Sequence, residues 1–204
     1  MKTNTLRVIS MVLLSFFATE AQNSWAKSKK TSHKGKTKMS ETQTIVLGGG
    51  CFWGVEDLIR KQDGVVKTLV GYTGGNEADA KYERVKKGNT GHVETVLVEY
   101  DPKKLKLEEL LKFFFKLHNP TTLNQQGNDI GSQYRSVIFV SSQDQREVSE
   151  RVIKLVNESK QWKSPVVTAI EELKNFFPAE DYHQDYLIKN PDGYTCHWVR
   201  KITF

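Results

Sequence analysis

The sequence predicts a mixed α/β or α+β domain over residues 42–204. Segments with strand composition and segments with helical periodicity interleave along this part of the chain, as they do in both fold classes. Clusters of glycine, asparagine and proline separate the segments and mark turns. Apolar residues make up 38% and charged residues 26% of the 204-residue chain, a composition that argues against global disorder and supports a packed core.

Each predicted element has a local justification. Apolar residues three and four positions apart predict helices, and alternation or β-branched composition predicts strands. In chain order, the predicted elements are a strand at 42–47, a helix at 51–60, strands at 65–72 and 92–100, a helix at 107–118, a loop at 121–133, a strand at 136–140, a helix at 142–159, a strand at 165–171, a helix at 181–189 and an irregular C-terminal arm.

The first half of the domain contains the clearest patterns. Strand 42–47 is expected to end where the glycines Gly48-Gly49-Gly50 interrupt it, and helix 51–60 begins directly after them. Strand 92–100 alternates, which puts Glu94 on the same predicted core face as Val96 and Val98.

The second half contains two amphipathic helices. Helix 107–118 has apolar residues at helical spacing and stops at Asn119-Pro120. Helix 142–159 begins at Ser142, and Gln145 three positions later completes a weak capping box. The loop between these helices, 121–133, is polar and rich in Asn, Gln and Gly.

The basic character of the chain belongs to its N-terminal tail. The formal net charge is +6, but residues 1–39 hold eight Lys or Arg and one acid, which leaves 22 basic against 23 acidic residues in the rest. The predicted domain is therefore nearly neutral, so we expect no nucleic-acid binding. Two cysteines exclude a disulfide-rich scaffold and a multi-cysteine zinc site.

The tail resembles an export signal. Lys2 and Arg7 precede an apolar run that is short for a membrane span, and cleavage near Ala18, Ala21 or Ala26 would follow it. The prediction is a signal peptide at 1–26, a basic disordered linker at 27–41 and a periplasmic or secreted protein. An uncleaved membrane anchor is the alternative.

Cys51 is the sharpest chemical signal in the chain. It follows three glycines and stands in the first turn of a predicted helix, where unpaired N–H groups and the helix dipole favour a thiolate. We therefore expect the pKa of Cys51 to lie below about 8.5 and the thiol to be reactive. A buried structural cysteine in a glycine-rich phosphate loop is the alternative, but no Lys-Ser/Thr pair follows the glycines, which excludes a P-loop.

Seven motifs in order resemble the peptide methionine sulfoxide reductase A family, over roughly residues 43–199. They are Gly48–Gly54 (GGGCFWG), Gly71–Gly75 (GYTGG), Tyr82–Val85 (YERV), Thr90–Glu94 (TGHVE), Tyr100–Pro102 (YDP), His118–Ser136 and Tyr182–Leu187 (YHQDYL). The resemblance implies a two-layer α/β sandwich around a mixed β-sheet with a βαββαβ-like, ferredoxin-type core.

The resemblance also implies a thiol reductase that reduces the S epimer of methionine sulfoxide, free or in proteins, without metal or cofactor. Cys51 matches the family's catalytic cysteine and Glu94 its acid. The oxygen-binding tyrosines map to Tyr82 and Tyr134, and Asp129 matches a carboxylate near the site. Phe52 and Trp53 match the apolar pocket for the substrate's S-methyl group.

Cys196 is the remaining candidate for a resolving thiol. It lies in an arm whose proline and glycine suit a mobile loop, although Thr195 separates it from Tyr194 where relatives more often have a Tyr-Cys pair. Some relatives have a longer tail with an extra cysteine. Because this sequence ends at Phe204, we expect one resolving cysteine and direct recycling by thioredoxin or, outside the cytosol, by an envelope thioredoxin-like reductant.

Several alternatives remain open at this point. A Cys51–Cys196 pair could be a structural disulfide in a redox-inert exported binding module. Glu94 could be a solvated strand residue, the tyrosines boundary residues and Asp129 a turn residue. His92 and His183 could indicate a Cys–His protease or a metal site, but no His-x-x-x-His spacing supports metal binding. We expect a monomer.

Overall fold

The computed structural model describes residues 41–204. The predicted signal peptide at 1–26, and the predicted linker at 27–41 except for its last residue, lie outside the described residues.

Eight strands and five α-helices form the described part of the chain. The strands are β1 (Gln43–Gly49), β2 (Val65–Thr73), β3 (Val93–Tyr100), β4 (Gln125–Gln126), β5 (Asp129–Ile130), β6 (Ser136–Val140), β7 (Ala169–Glu172) and β8 (Phe177–Pro178). The helices are α1 (Phe52–Ile59), α2 (Tyr82–Val85), α3 (Leu107–Leu117), α4 (Gln143–Glu158) and α5 (Tyr186–Lys189), with 3-10 turns at Glu77–Asp79 and Ser132–Tyr134.

Six strands form one mixed sheet in the order β7-β6-β1-β3-β2-β8. All neighbours are antiparallel except β6 and β7, which run parallel. Within this sheet, β1, β2, β3 and β6 alternate with α1 and α3 along the chain, and their order β6-β1-β3-β2 is the βαββαβ arrangement of a ferredoxin-type core. The expected fold class is confirmed.

The helices cover one face of the sheet. Alternate strand residues such as Leu47, Val96 and Ile138 pack with the helices in the main core, whereas Val46 and Phe139 belong to a smaller cluster on the opposite face. Because strand side chains alternate, this division follows directly from the period-2 pattern of the sequence. Within residues 41–204, no helix combines the length and apolar character that a bilayer crossing requires.

Three predicted boundaries are wrong. Strand β1 continues to Gly49 because a Cβ at Gly48 would lie only 2.8 Å from Val93 on β3 and 2.9 Å from Val137 on β6, so glycine here serves close strand packing and does not end the strand. The predicted 121–133 loop contains the short β4–β5 hairpin. The helix expected at 181–189 is reduced to α5, because Asp185 adopts a left-handed conformation with φ of 53°.

Two further details follow from local chemistry. The strand expected at 165–171 is shorter and later, at β7, where it pairs with β6 at the edge of the sheet. At the start of α4, Ser142 Oγ accepts from the Gln145 backbone N–H as predicted, but the Gln145 side chain accepts from Ser141 instead of completing the box with Ser142.

Candidate functional site

Cys51 lies at the junction of β1 and α1. Gly50 turns the chain with φ of +103°, a conformation that disfavours other residues, and Cys51 occupies the N-cap position of α1. The cysteine is buried, at 7% exposure, and its thiol is free. The sequence therefore correctly placed the thiol at a helix start.

The expected low pKa of Cys51 is wrong for the resting site. Burial raises the pKa of the thiol well above its ordinary value, and the nearby Glu94 carboxylate raises it further. The backbone N–H of Trp53 favours the thiolate, as the helix terminus suggested, but this contribution is smaller than desolvation. Cys51 is therefore a neutral thiol until substrate arrives.

Glu94 is the buried acid of the site. It projects from β3 towards the helix layer with 2% exposure, on the predicted core face. Its Oε2 accepts a hydrogen bond of 3.2 Å from the backbone N–H of Phe52, the residue next to Cys51. Burial raises the pKa of Glu94 to about 8 despite this hydrogen bond, so the carboxyl is largely protonated at neutral pH and can donate a proton.

Two tyrosines from different elements accompany Glu94. Tyr82 is the first residue of α2, Tyr134 ends the 3-10 turn Ser132–Tyr134, and both are partly exposed. Burial raises the pKa of each phenol, and the negative charge of Glu94 adds to both shifts. Both hydroxyls therefore remain protonated and can act as hydrogen-bond donors at neutral pH.

Aromatic rings surround the start of α1. Phe52 is fully buried, with its ring centroid 5.1 Å from that of His183. Trp53 is partly exposed, stacks on Tyr186 at 3.7 Å and donates from Nε1 to His183 Nδ1 at 3.0 Å. Phe52 is thus a core residue beside the thiol, whereas Trp53 presents part of an aromatic surface to solvent.

The sequence did not identify Glu180 as part of this region. Its carboxylate accepts from the Tyr72 hydroxyl and from the Tyr82 backbone N–H, each at 2.9 Å. These bonds fix the start of α2 and therefore the position of Tyr82. Glu180 lies two residues before the motif at 182–187, and only the nearness of that motif could have drawn attention to it.

The second cysteine lies on the C-terminal arm and contacts Asp129. Cys196 Sγ donates to Asp129 Oδ2 at 3.3 Å, and the Cβ atom that a side chain at Gly127 would have is 3.1 Å from Cys196 Cβ. The β4–β5 hairpin thus presents a carboxylate to the arm cysteine. Burial and this carboxylate raise the pKa of Cys196 to about 12.

The arm also contacts the glycine loop, the segment Gly49–Cys51 where β1 ends and α1 is about to begin. His197, beside Cys196, lies 2.8 Å through Nε2 from the Gly49 carbonyl oxygen. The charge of an ionised Cys196 would raise the pKa of Cys51, which places the two thiols within electrostatic reach of each other. The structure therefore brings together all the predicted polar site residues around the β1–α1 junction.

The described residues contain no cluster of side chains suited to binding a metal ion. Between residues 41 and 204, no three His, Cys, Asp or Glu side chains are arranged so that they could hold a metal ion.

Comparisons with known proteins assign most of the chain to one family. The sequence profile of a family described as peptide methionine sulfoxide reductase matches residues 43–203. A protein from Nocardia farcinica named peptide methionine sulfoxide reductase MsrA is 48% identical over 162 residues, which cover 79% of this chain and 93% of that protein.

Two solved structures resemble this chain in fold and sequence. The reduced form of Mxr1 from Saccharomyces cerevisiae superimposes with a TM-score of 0.75 at 40% identity, covering 80% of this chain and 94% of the yeast chain. Mxr1 in complex with Trx2 matches with a TM-score of 0.55 at 27% identity, covering 83% of this chain and 97% of the other.

Proposed function

The chain belongs to the peptide methionine sulfoxide reductase family, and we propose that Cys51 is its nucleophile, Glu94 its proton donor and Cys196 its resolving thiol. The enzyme reduces methionine sulfoxide to methionine, and thioredoxin returns it to the reduced state. The observation that carries the residue assignment is the buried, protonated Glu94, which is hydrogen-bonded to the backbone of Phe52 next to the Cys51 thiol.

Reduction of the sulfoxide begins with activation of its oxygen. A sulfoxide sulfur becomes electrophilic when its oxygen is protonated or strongly hydrogen-bonded. Glu94 donates a proton to this oxygen while the hydroxyls of Tyr82 and Tyr134 donate hydrogen bonds that strengthen as charge develops. Cys51 sulfur then supplies the electron pair, and its own proton replaces the one that Glu94 gave.

The products of this step are methionine and a Cys51 sulfenic acid. The oxygen has moved from the substrate sulfur to Cys51, so atoms and electrons balance without a cofactor. Cys196 then attacks the Cys51 sulfur, a disulfide forms and water leaves. Thioredoxin reduces this disulfide by thiol–disulfide exchange.

The aromatic surface around Trp53 supports binding of an S-methyl group. Trp53 is held by its stack on Tyr186 and its bond to His183, so its exposed edge is fixed before substrate arrives. We assign Phe52 and Trp53 to the methyl pocket, with Phe52 forming its buried wall. The expected substrate is the S epimer, free or in oxidised proteins.

Two variants test the cysteine roles. Cys51→Ser is expected to release no methionine even in one turnover. Cys196→Ser is expected to release about one methionine per enzyme and then stall when thioredoxin is the reductant. The measurement is methionine released per enzyme, with each sulfoxide epimer supplied separately. Sustained thioredoxin-driven turnover by Cys196→Ser would overturn the resolving role.

The redox-inert binding module is not supported by the comparisons. Both cysteines are free thiols in this structure. An inert module would also release no methionine when dithiothreitol replaces thioredoxin, so the same assay separates the two functions.

We infer from the N-terminal sequence that the enzyme is exported and acts in the periplasm or outside the cell. The support is the basic start, the apolar run and the alanines Ala18, Ala21 and Ala26. In that compartment the reductant would be an envelope thioredoxin-like protein. Intact mass of the protein from its native host is expected to lack the signal peptide, and a product that retains Met1 would contradict export with cleavage.

A further inference from the structure

A histidine on the C-terminal arm lies between the two halves of the site. His197 Nε2 is 2.8 Å from the Gly49 carbonyl oxygen, and Nδ1 is 3.5 Å from Cys196 Sγ. Its backbone N–H donates to Thr195 Oγ1 at 3.1 Å, and the residue is only 7% exposed. The ring is therefore held in one orientation, with one nitrogen towards the glycine loop and the other towards the resolving thiol.

The contacts define the tautomer of His197. A carbonyl oxygen can only accept, so Nε2 must carry a hydrogen and donate to Gly49. Burial lowers the pKa of His197 and keeps the ring neutral at physiological pH. A neutral imidazole with hydrogen on Nε2 has a free lone pair on Nδ1, and that lone pair faces Cys196.

Cys196 needs a proton acceptor in order to act. The thiolate is the nucleophile in disulfide formation, but burial and Asp129 raise the pKa of this thiol to about 12. Asp129 Oδ2 at 3.3 Å and His197 Nδ1 at 3.5 Å both lie within reach of its hydrogen. The Tyr194 hydroxyl also contacts the thiol, but as a hydrogen-bond donor that favours the thiolate.

The contacts favour the imidazole as the base. Imidazole is the usual general base near neutral pH, and the Nδ1 lone pair of neutral His197 is free to take the proton. Asp129 also raises the pKa of His197, which means that its negative charge stabilises the imidazolium that proton transfer would form. Asp129 thus orients the resting thiol and supports the charged base.

We propose that His197 is the general base of the disulfide-forming step, taking the Cys196 proton on Nδ1 as the Cys196 sulfur attacks the Cys51 sulfenic acid. This proposal rests on the function proposed above. The S–S bond forms as the S–O bond of the sulfenic acid breaks, and hydroxide leaves as water with a proton from Glu94. The proton held by His197 then returns to Glu94 through solvent, which restores both groups.

Gly54 makes this contact possible. A Cβ at Gly54 would lie 2.5 Å from His197 Nδ1 and 2.5 Å from Thr195 Oγ1. Any larger residue on this turn of α1 would displace the ring from Cys196. The absence of a side chain at Gly54, the last glycine of the Gly48–Gly54 motif, therefore leaves room for His197 beside α1.

Other titratable groups around the ring set the pH range of the step. Arg200 lowers the pKa of His197, and an ionised His197 would lower that of His118. Asp129 raises the pKa of His197. Cys51 belongs to the same glycine loop that the His197 ring contacts through the Gly49 carbonyl oxygen. The lowered pKa of His197 leaves the base available throughout the neutral range.

The test separates the two chemical steps in one turnover. Reduced wild-type enzyme and His197→Gln are each mixed with one equivalent of methionine sulfoxide without reductant, then quenched. Methionine is measured by chromatography, and the sulfenic acid and disulfide by mass after trapping. Glutamine keeps a donor near Nε2 for Gly49 but provides no base at Nδ1. Val199→Ala, a half-exposed position on the same arm, is the matched control.

We expect His197→Gln to release one methionine per enzyme but to form the disulfide about 100-fold more slowly at pH 7, with sulfenic acid accumulating. Its disulfide rate should rise about tenfold per pH unit from pH 6 to 8, the range in which Glu94 still holds the proton that the leaving hydroxide needs. The wild-type and Val199→Ala rates should be flat over that range, because the pKa of His197 is lowered and the ring stays neutral, and they should fall only at lower pH or as Glu94 loses its proton above about pH 8. A merely structural role would lower the rate without changing this profile.

Two results would overturn the proposal. The first is disulfide formation at the wild-type rate in His197→Gln, and a slowed rate in Asp129→Asn beside it would assign the base to Asp129 instead. If His197→Gln does not fold, the second is a wild-type disulfide rate that rises steadily from pH 6 to 8 without a plateau. Absence of methionine release from the wild type would instead refute the proposed function.

Discussion

Replacement of Glu94 by glutamine tests proton donation in the reductive step. Glutamine keeps the size of the side chain, and its carbonyl oxygen can still accept the 3.2 Å hydrogen bond from Phe52. It cannot deliver a proton to the sulfoxide oxygen. General acid catalysis contributes about 10²- to 10⁴-fold, so we expect a loss in that range in methionine release during a single turnover.

The pH dependence of the wild-type enzyme follows from the same carboxyl. Burial raises the pKa of Glu94 to about 8, so the donating form is present at neutral pH and is lost as the pH rises through that value. The single-turnover rate of methionine release should therefore fall above about pH 8. Glu94→Gln should show no such decline.

The free energy of unfolding provides an independent test of the protonation state of Glu94. Because the pKa of folded Glu94 lies above its unfolded value, the protonated form favours folding, and this contribution disappears as pH rises. Between an unfolded value of 4.5 and a folded value of about 8, the change amounts to about 5 kcal/mol at most. The free energy of unfolding of Glu94→Gln, relative to wild type, should therefore increase steadily from pH 5 to pH 8.5.

Quenched-flow measurement of methionine release, at an enzyme concentration above that of the sulfoxide, isolates the reductive step from recycling by thioredoxin. Urea unfolding at several pH values gives the free energy of unfolding of the wild type and of Glu94→Gln. An unchanged single-turnover rate at pH 7 would show that the proton comes from elsewhere, such as a tyrosine or a water held by Asp129. A stability difference that does not vary with pH would show that Glu94 is not buried as a neutral acid.

Three further predictions follow from packing and sequence. Gly54→Ala should slow disulfide formation while leaving the fold intact, because its methyl group displaces His197; trapped sulfenic acid measures this. Phe115→Ala should lower the free energy of unfolding by about 3–5 kcal/mol because Phe115 is fully buried, whereas Leu123→Ala, at a position 73% exposed, should change it by less than about 0.5 kcal/mol in urea titrations. Deletion of residues 27–39 should leave methionine release in solution unchanged, since that segment matches no catalytic motif, and a loss of rate would assign it a role.

The core strands and the position of Glu94 were predictable because they depend on local alternation. The apolar residues Val96 and Val98 show which face of β3 is buried. Glu94 is an even number of positions from both, so it lies on the same face. The β4–β5 hairpin and the edge strand β8 could not be predicted, since strands of two residues exist only through their partners. Two residues are too few to show the alternation of apolar and polar side chains that predicts a strand.

The pKa of Cys51 shows a second limit of sequence reasoning. A helix start is a local property, and the sequence placed it correctly. Desolvation depends on everything that packs around the thiol, including Glu94 from a strand more than forty residues away, and here it is the larger effect. His197 was overlooked for a related reason: only the folded arm brings its Nδ1 to Cys196 and its Nε2 to the Gly49 carbonyl.

The protonation states of the resting site explain why its reactive groups do not react prematurely. Cys51 is a neutral thiol, Glu94 is largely a neutral acid, and the phenols of Tyr82 and Tyr134 retain their protons, because burial raises the pKa of each group. A thiolate in this position would be oxidised more readily by small oxidants, since oxidation follows thiolate character. In the proposed mechanism, a sulfoxide oxygen that accepts the Glu94 proton leaves a carboxylate ready to take the thiol proton, so the nucleophile forms only when its substrate is bound. On this mechanism, selectivity for sulfoxides arises from coupling one buried proton donor to one buried thiol, and a permanently ionised cysteine would lose it.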